Sequence, residues 1–174
     1  MSPARRVVLG MSLMLVTEVM FFTALISAYL VARANVPLWP PLDQPRLPVL
    51  GTAFNSLFLL ASGVTMLVAL RRSSAGWTRL TAVLGLAFVT LQGAEWVRLL
   101  GYGLTTSSSL YGAFFYTLVG THALHVLMGL VLLIAAASVL RAGRPCSSLL
   151  IATTIYWSFV VLLWPCLYAL VYLV

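Results

Sequence analysis

Charged residues are scarce in this chain of 174 residues. Only 7% of the sequence is Asp, Glu, Lys or Arg, compared with about 25% in soluble domains. Lysine is absent, so ten arginines supply all of the fixed positive charge, and only three residues are acidic. An ordinary soluble domain is thereby excluded, because almost no polar sequence remains to cover a surface facing water.

Cysteine is equally sparse, with Cys146 and Cys166 as the only two. Cys146 lies near one end of the last predicted helix and Cys166 lies twenty residues further on, which is about 30 Å at about 1.5 Å per helical residue. A disulfide needs α-carbons within about 7 Å, so both thiols are predicted to be unpaired. The sequence also has no CxxC motif, nucleotide-binding loop or nucleophile elbow, so none of the enzyme classes marked by those motifs is indicated.

Apolar residues, in contrast, make up 62% of the chain and gather in five long runs. About 20 helical residues cross the hydrocarbon layer, whereas membrane β-strands have about 10 residues in strict alternation. The first run is too long for the apolar core of a signal peptide, so we interpret it as a retained helix. We therefore predict an all-α, polytopic membrane bundle that forms a single domain over residues 1–174. Its five transmembrane helices are predicted at Val7–Ala32, Pro48–Leu70, Leu80–Leu100, Tyr111–Leu140 and Leu149–Leu173.

The arginines are divided unevenly between the two ends of these helices. Seven lie on the side of the N-terminus and three on the other side, so the positive-inside rule places the N-terminus inside and the C-terminus outside. The net charge of +7 is then a topology signal, and no basic patch indicates nucleic-acid binding. The inner set is Arg5, Arg6, Arg71, Arg72, Arg79, Arg141 and Arg144, and the outer set is Arg33, Arg46 and Arg98.

Two loops on the predicted outer side differ in composition. The segment Ala34–Leu47 has three prolines in five positions, which exclude a helix there, and Trp39 is predicted to lie at the outer lipid–water interface. The segment Gly101–Leu110 is rich in Gly, Ser and Thr, and we predict that it is flexible.

Glu18 lies near the middle of the first predicted helix, where an ionised carboxylate costs roughly 2.5–3.5 kcal/mol on insertion scales. Two interpretations remain open. Glu18 is either a neutral carboxylic acid hydrogen-bonded inside the bundle, or a proton-exchanging group that forms half of a buried pair. Glu95 is less informative, because Arg98 follows it by three residues and an interfacial salt bridge between them is plausible.

His122 and His125 are the only histidines and lie three residues apart in the fourth predicted helix. One helix cannot place them on opposite sides of a haem iron, and a di-iron bundle needs four carboxylates. We therefore predict that this chain binds no metal or haem. The histidines are predicted to form hydrogen bonds across helices, and one of them is the best candidate partner for Glu18.

Packing features mark the last two helices. Small and polar residues recur every four positions on the fourth helix, from Ala113 to Gly129, as in closely packed membrane helices. Pro165 is predicted to kink the fifth helix. That helix also has five Trp and Tyr residues, for which a lipid anchor or a surface facing a partner are both possible explanations. We predict that the chain is stable only in a hetero-oligomer, with the first or the fifth helix offered to the partner.

Several motifs, in order, resemble subunit III of the haem–copper oxidases over nearly the whole chain. The most specific is Tyr111-Gly-Ala-Phe-Phe115 followed by Gly120-Thr-His122-Ala-Leu-His125-Val-Leu-Met-Gly129. Others are Gly10-Met-Ser-Leu-Met-Leu-Val-Thr-Glu18-Val-Met-Phe-Phe22, Trp39-Pro40-Pro41, Asn55-Ser56, Ser62-Gly63 and Gln92-Gly-Ala-Glu95-Trp96. The chain departs from that family in the last helix, where Ser158 and Val161 replace a His and an Asp. It also resembles a short bacterial form that lacks the first two of seven helices and with them the lipid-filled cleft.

The resemblance implies an accessory subunit of a cytochrome c oxidase in the bacterial cytoplasmic (inner) membrane. It implies no active site in this chain, haem and copper in the partner catalytic subunit I, further respiratory subunits as partners, and possible binding of phospholipid. Two alternatives remain. One is a related subunit of a quinol oxidase or nitric oxide reductase, and the other is a small independent proton carrier that uses Glu18.

Overall fold

The computed structural model describes residues 3–42, 44–143 and 147–173. Helices dominate these ranges, and no β-strand occurs within them. Each of the five long helices is apolar enough to cross a membrane, which confirms the predicted all-α bundle. The helices are α1 (Pro3–Ala34), α2 (Val49–Arg72), α3 (Ala75–Gly101), α4 (Leu110–Arg141) and α5 (Ser147–Tyr168), and α5 continues into a π-helical turn, Ala169–Leu173.

The helix ends follow local sequence. Helix α1 ends at Ala34, no helix occurs among the described residues from Asn35 to Pro48, and α2 begins directly after Pro48. Ser109 precedes α4, and its side-chain oxygen accepts a hydrogen bond from the backbone N–H of Gly112 at 3.0 Å. This bond satisfies one of the N–H groups that the first helical turn leaves unpaired. Helices α1, α3, α4 and α5 begin one to five residues before their predicted starts, whereas α2 begins one residue later, at Val49.

Helix α5 lies at the centre of the bundle, in contact with α1, α2 and α4. Helix α3 packs against α2 and α4, and α1 lies at one edge against α4 and α5. Burial differs strongly between the helices. In the α5 span, 44% of the most apolar stretch is buried inside the bundle, whereas in α1 only 6% of the corresponding stretch is buried. The bundle therefore leaves α1 as its least covered helix.

The side chains of Tyr156, Trp157, Trp164 and Tyr172 are buried in this core, so the interpretation of these four residues as a lipid anchor or a partner-facing surface is wrong. The Trp157 ring lies between Gly85 of α3 and Gly129 of α4, where an added β-carbon would approach it to 2.6 and 2.7 Å. Its Nε1 donates to Ser62 Oγ at 3.0 Å. Because these neighbours are small, α3 and α4 can close around a large ring, as expected for membrane helices that associate by close packing.

The end of α5 is held from two sides. Tyr29 of α1 donates its hydroxyl to the carbonyl of Leu170 at 3.1 Å, and the Tyr168 hydroxyl donates to the carbonyl of Val49 at 3.1 Å. These bonds tie the π-helical turn to α1 and the last residue of α5 to the start of α2. Pro165 lies inside α5, and the predicted kink at this residue stays a prediction.

Trp39 contacts aromatic residues of the bundle, with its ring edge-on to Tyr29 and Tyr111 at centroid distances of 5.7 and 5.3 Å. Its predicted position at the lipid interface stays a prediction. Of the two cysteines, Cys166 is free and exposed, and Cys146 lies outside the described residues.

Candidate functional site: an acid–imidazole pair in a membrane groove

Helices α1 and α4 bring Glu18 and His125 together. Glu18 Oε2 lies 3.0 Å from His125 Nε2, within hydrogen-bond and ion-pair distance. The contact joins two helices across a membrane-spanning bundle whose other residues at this depth are mostly apolar. Of the two histidines considered as partners for Glu18, the structure places His125 beside it.

The second ring nitrogen of His125 determines where the protons lie. Nδ1 is 2.8 Å from the backbone carbonyl of Thr121, and a carbonyl can only accept a hydrogen bond. Nδ1 therefore carries a hydrogen, and Nε2 faces the carboxyl group. If Nε2 is bare, Glu18 must carry the proton, whereas if Glu18 is ionised, Nε2 must carry it. One proton thus lies between the two groups in either case, and the pair has no net charge.

The pair lies in a groove of about 460 Å³ that opens on the side of the bundle. The side chain of Glu18 is 26% exposed and that of His125 is 14% exposed, so the carboxyl group is reachable from outside the bundle. Helix α5 supports the pair, since Tyr156 donates its hydroxyl to the His125 carbonyl at 3.2 Å. The residues that line the groove are Met11, Met14, Glu18, Leu124, His125, Met128, Leu132 and Tyr156.

His122 has a different environment, although it is on the same helix. It is fully buried, and its ring stacks on Trp164 with centroids 5.0 Å apart and an interplanar angle of 27°. Neither ring nitrogen has a hydrogen-bond partner among the described residues. The predicted hydrogen bond across helices is therefore made by His125 and not by His122, which packs as an aromatic ring.

Glu95 is held by neutral donors. Its Oε2 accepts a hydrogen bond from Thr52 Oγ1 of α2 at 2.8 Å and one from Gln92 Nε2 at 3.3 Å. The expected salt bridge with Arg98 is not formed between these described side chains. The bond from Thr52 connects α3 to α2, whereas the bond from Gln92 joins two neighbouring turns of α3.

Gln92 extends this contact into a buried network that the sequence analysis did not identify. Its Nε2 also donates to the Tyr172 hydroxyl at 3.0 Å, and its Oε1 accepts from Asn55 Nδ2 at 3.2 Å. Asn55 donates as well to the carbonyl of Phe88 at 3.2 Å. The signal available in the sequence was an amide side chain within each of two apolar runs, since a buried amide requires partners.

A protein-family comparison decides the family. The family model for cytochrome c oxidase subunit III matches residues 3–174. The chain belongs to this family. Its members are accessory subunits of haem–copper oxidases, as the motif resemblance implied.

Curated relatives match this chain over most of their own length. A cytochrome c oxidase subunit 3 of Synechocystis sp. is 37% identical, covering 94% of this chain and 74% of the relative. Probable cytochrome c oxidase subunits 3 of Mycobacterium leprae and Nocardia farcinica are 32% and 34% identical, and each comparison covers 95% of this chain and 86% of the relative. The described residues form five helices able to span a membrane, so the chain is a multi-pass membrane protein.

The two departures from the subunit III pattern lie on α5. Val161, where the family resemblance implies an Asp, is buried and packs against Gly63 of α2. An added β-carbon on Gly63 would approach Val161 to 2.9 Å, so this contact is apolar and close. Ser158 is partly buried. At this position, close apolar packing between α5 and α2 therefore takes the place of the polar side chain that the family resemblance implies.

The side chains of the described residues bring no three of His, Cys, Asp and Glu close enough to hold a metal ion. The interhelical groups available for chemistry in these ranges are the Glu18–His125 pair and the network around Gln92. The first can move a proton between two groups, and the second holds hydrogen bonds in place.

Proposed function

We propose that this chain is subunit III of a respiratory terminal oxidase in the bacterial cytoplasmic membrane, with its N-terminus inside. It packs on catalytic subunit I, which carries the haem and copper, and supports that subunit during oxygen reduction and proton pumping. The observation that carries the proposal is the family match across residues 3–174. The arginine asymmetry supports the orientation.

Helix α1 is the surface that we assign to the partner. The aromatic face of α5 is already buried, whereas Leu13, Val16 and Met20 lie exposed on α1. These residues are spaced three and four apart, so they form one apolar stripe along the helix. A second membrane helix packed on this stripe would complete the cover of α1.

The Glu18–His125 pair supplies the second part of the proposal. Because one proton serves both groups, the pair can pass between two protonation arrangements without creating net charge within the membrane. Such a pair can exchange its proton with a donor or acceptor that reaches the groove. We propose that the Glu18–His125 pair exchanges protons beside the catalytic subunit.

Purification through a tag on this chain tests the assignment. We expect a haem-bearing large subunit to copurify, with a haem absorption spectrum and oxygen consumption. Oxidation of reduced cytochrome c, rather than quinol, identifies the electron donor. A chain that purifies without haem and transports protons alone in liposomes would support the independent carrier instead.

Reporter fusions test the orientation separately. A fusion in the segment Arg71–Arg79 is expected to report an inner location, and a fusion in Gly101–Leu110 an outer one. The opposite pattern would overturn the proposed orientation and leave the family assignment intact.

A further inference from the structure

The groove beside Glu18 offers a hydrogen-bond acceptor but no spare side-chain donor. Oε2 of Glu18 faces His125 Nε2 at 3.0 Å, and Oε1 has no hydrogen-bond partner in the described part of the chain. The other donors of the lining side chains are already used. His125 Nδ1 donates to the carbonyl of Thr121, and the Tyr156 hydroxyl donates to the carbonyl of His125. A ligand that matches this groove must therefore bring its own donor.

Oε1 of Glu18 is an acceptor in both arrangements of the shared proton. If Glu18 is ionised, both carboxylate oxygens accept hydrogen bonds. If Glu18 carries the proton, that proton lies on Oε2 and points toward the bare Nε2 of His125, so Oε1 again only accepts. An O–H group is therefore complementary to Glu18, whereas a carbonyl oxygen, which also only accepts, is not.

The donor has to arrive through the membrane. Glu18 lies near the middle of the span Arg5–Ala34, and its side chain is 26% exposed in a groove that opens on the side of the bundle. Lipid tails carry no donor, and a polar atom without a partner is costly in hydrocarbon. Because the Glu18–His125 pair has no net charge, a neutral ligand suits the groove better than an ion. The ligand is thus a neutral, membrane-soluble molecule with a hydroxyl group.

The rest of the lining favours an aromatic ring. Three methionines, Met11 and Met14 of α1 and Met128 of α4, line the groove together with Tyr156. Thioether sulfurs make favourable contacts with aromatic rings, and the flexible methionine side chain adapts to the shape of a ligand. The groove volume of about 460 Å³ lies within the range of about 300–1,000 Å³ that is typical of small-molecule sites. A phenolic head group meets both requirements.

We propose that this groove binds the head group of a hydroquinone, an aromatic ring with two hydroxyl groups and an apolar tail. One hydroxyl donates to Oε1 of Glu18, the ring lies among the three methionines, and the tail leaves through the lateral opening into the membrane. The corresponding quinone has carbonyl groups in place of the hydroxyls, so the groove selects the reduced form. The proposal concerns binding alone and goes beyond the proposed subunit III role, which does not depend on it.

The experiment measures binding to the purified complex in phosphatidylcholine nanodiscs. Oxygen is excluded and cyanide is added, so that the hydroquinone stays reduced. Decylubiquinol and decylubiquinone, which share one tail, are titrated separately, and native mass spectrometry counts the bound molecules. The unchanged chain should bind decylubiquinol roughly tenfold more tightly than decylubiquinone, as expected for one hydrogen bond to a carboxyl group. Equal affinity for the two would overturn the proposal.

Variants of Glu18 show whether its carboxyl group makes this distinction. Glu18→Leu should weaken decylubiquinol binding roughly tenfold and remove the preference over decylubiquinone, because no acceptor remains. Glu18→Gln should keep the preference, since its amide can donate to His125 Nε2 and still present its oxygen to the ligand. A preference that survives in Glu18→Leu, or that disappears in Glu18→Gln as well, would contradict the proposed contact.

A variant that fills the groove keeps the proposal testable if Glu18→Leu does not assemble. Leu124 lines the groove and is 65% exposed, so Leu124→Trp can place a large ring at the mouth while the Glu18–His125 pair stays intact. Leu57→Trp adds the same ring to an exposed position of α2 outside this groove and serves as the control. Decylubiquinol binding should be lost in Leu124→Trp alone. Retained binding in Leu124→Trp, or equal losses in the two variants, would overturn the site.

Competition with decanol separates a phenol from any alcohol. Decanol has a hydroxyl group and an apolar tail but no ring, so it lacks the contacts with the methionine sulfurs. At equal concentration it should displace only a small fraction of the bound decylubiquinol. Complete displacement would show that the hydroxyl group alone is recognised, and would overturn the hydroquinone assignment. The haem spectrum of each sample tests the oxidase assignment separately, so a failure of either is distinguishable from a failure of the other.

Discussion

Glu18 and Glu95 are two carboxyl groups within membrane-spanning helices, and the bundle holds them in different ways. Glu18 meets an imidazole in a groove that opens on the side of the bundle. Glu95 meets a hydroxyl and an amide that belong to a network between α2, α3 and the terminal turn. A carboxyl group at membrane depth can therefore serve either proton exchange or structure, depending on whether its partner can take up a proton.

The physical basis is the cost of placing charge in hydrocarbon. His125 can take the proton that Glu18 gives up, so the two together stay neutral. Thr52 and Gln92 cannot take up that proton, and they only donate hydrogen bonds to Glu95. The first arrangement permits a change of protonation, and the second fixes the position of a side chain.

The largest effect is expected from Gln92→Leu, which removes the centre of the network. It leaves the amide of Asn55, the hydroxyl of Tyr172 and the carboxyl of Glu95 each with one fewer partner. Each unsatisfied buried group costs about 1–3 kcal/mol, so a loss of roughly 3 kcal/mol in unfolding free energy is expected. Denaturation of the purified complex measures it, with the exposed neighbour Leu91→Ala as control. Equal stability of the two variants would show that the network is not structural.

Glu18→Leu should have the next largest effect, because it leaves Nε2 of His125 without its partner. We expect a loss of about 1–3 kcal/mol and a lower yield of assembled complex. Glu18→Gln keeps a hydrogen-bonding group of the same length, so its assembly should match that of the unchanged chain. A poor yield in Glu18→Gln and Glu18→Leu alike would mean that the charge, rather than the hydrogen bond, holds α1 to α4.

Glu95→Gln should change stability by less than about 1 kcal/mol, since the amide oxygen can still accept from Thr52. Its proton pumping should equal that of the unchanged chain, whereas Glu18→Gln should lower it. Proton release by reconstituted vesicles measures both variants side by side. Equal losses in the two would remove the distinction between the carboxyl groups.

Arg98→Gln should have the smallest effect, within about 0.5 kcal/mol, because no ion pair joins Arg98 to Glu95. The same denaturation experiment measures it, with Arg98→Lys as the charge-preserving control. A loss above about 1 kcal/mol in Arg98→Gln alone would show that the salt bridge forms in the membrane.

The sequence contained enough information for the five helices and for the partnership of Glu18 with a histidine of the fourth helix. Apolar length determines the helices, and a lone carboxyl group in hydrocarbon requires a partner. Which histidine meets Glu18 was not predictable. Residues three apart differ by about 60° around a helix, which turns His125 toward α1 while His122 packs on Trp164 of α5.

The inward direction of the α5 aromatic residues was also missed. Trp and Tyr are common at membrane interfaces, so their number alone favoured the surface. The deciding information lay on other helices, where Gly85, Gly129 and Ser62 leave room for Trp157. Such complementarity depends on which helices become neighbours, and no single segment of the sequence specifies that.

The most direct test of the account is infrared difference spectroscopy of the purified complex, since it detects the carboxyl group of Glu18 itself. We predict a carboxyl band that shifts when deuterium oxide replaces water, disappears in Glu18→Gln, and moves in His125→Gln because the shared proton is lost. The band should be unchanged in Glu95→Gln. A Glu18 band that does not respond to deuterium oxide or to His125→Gln would contradict a proton shared between Glu18 and His125.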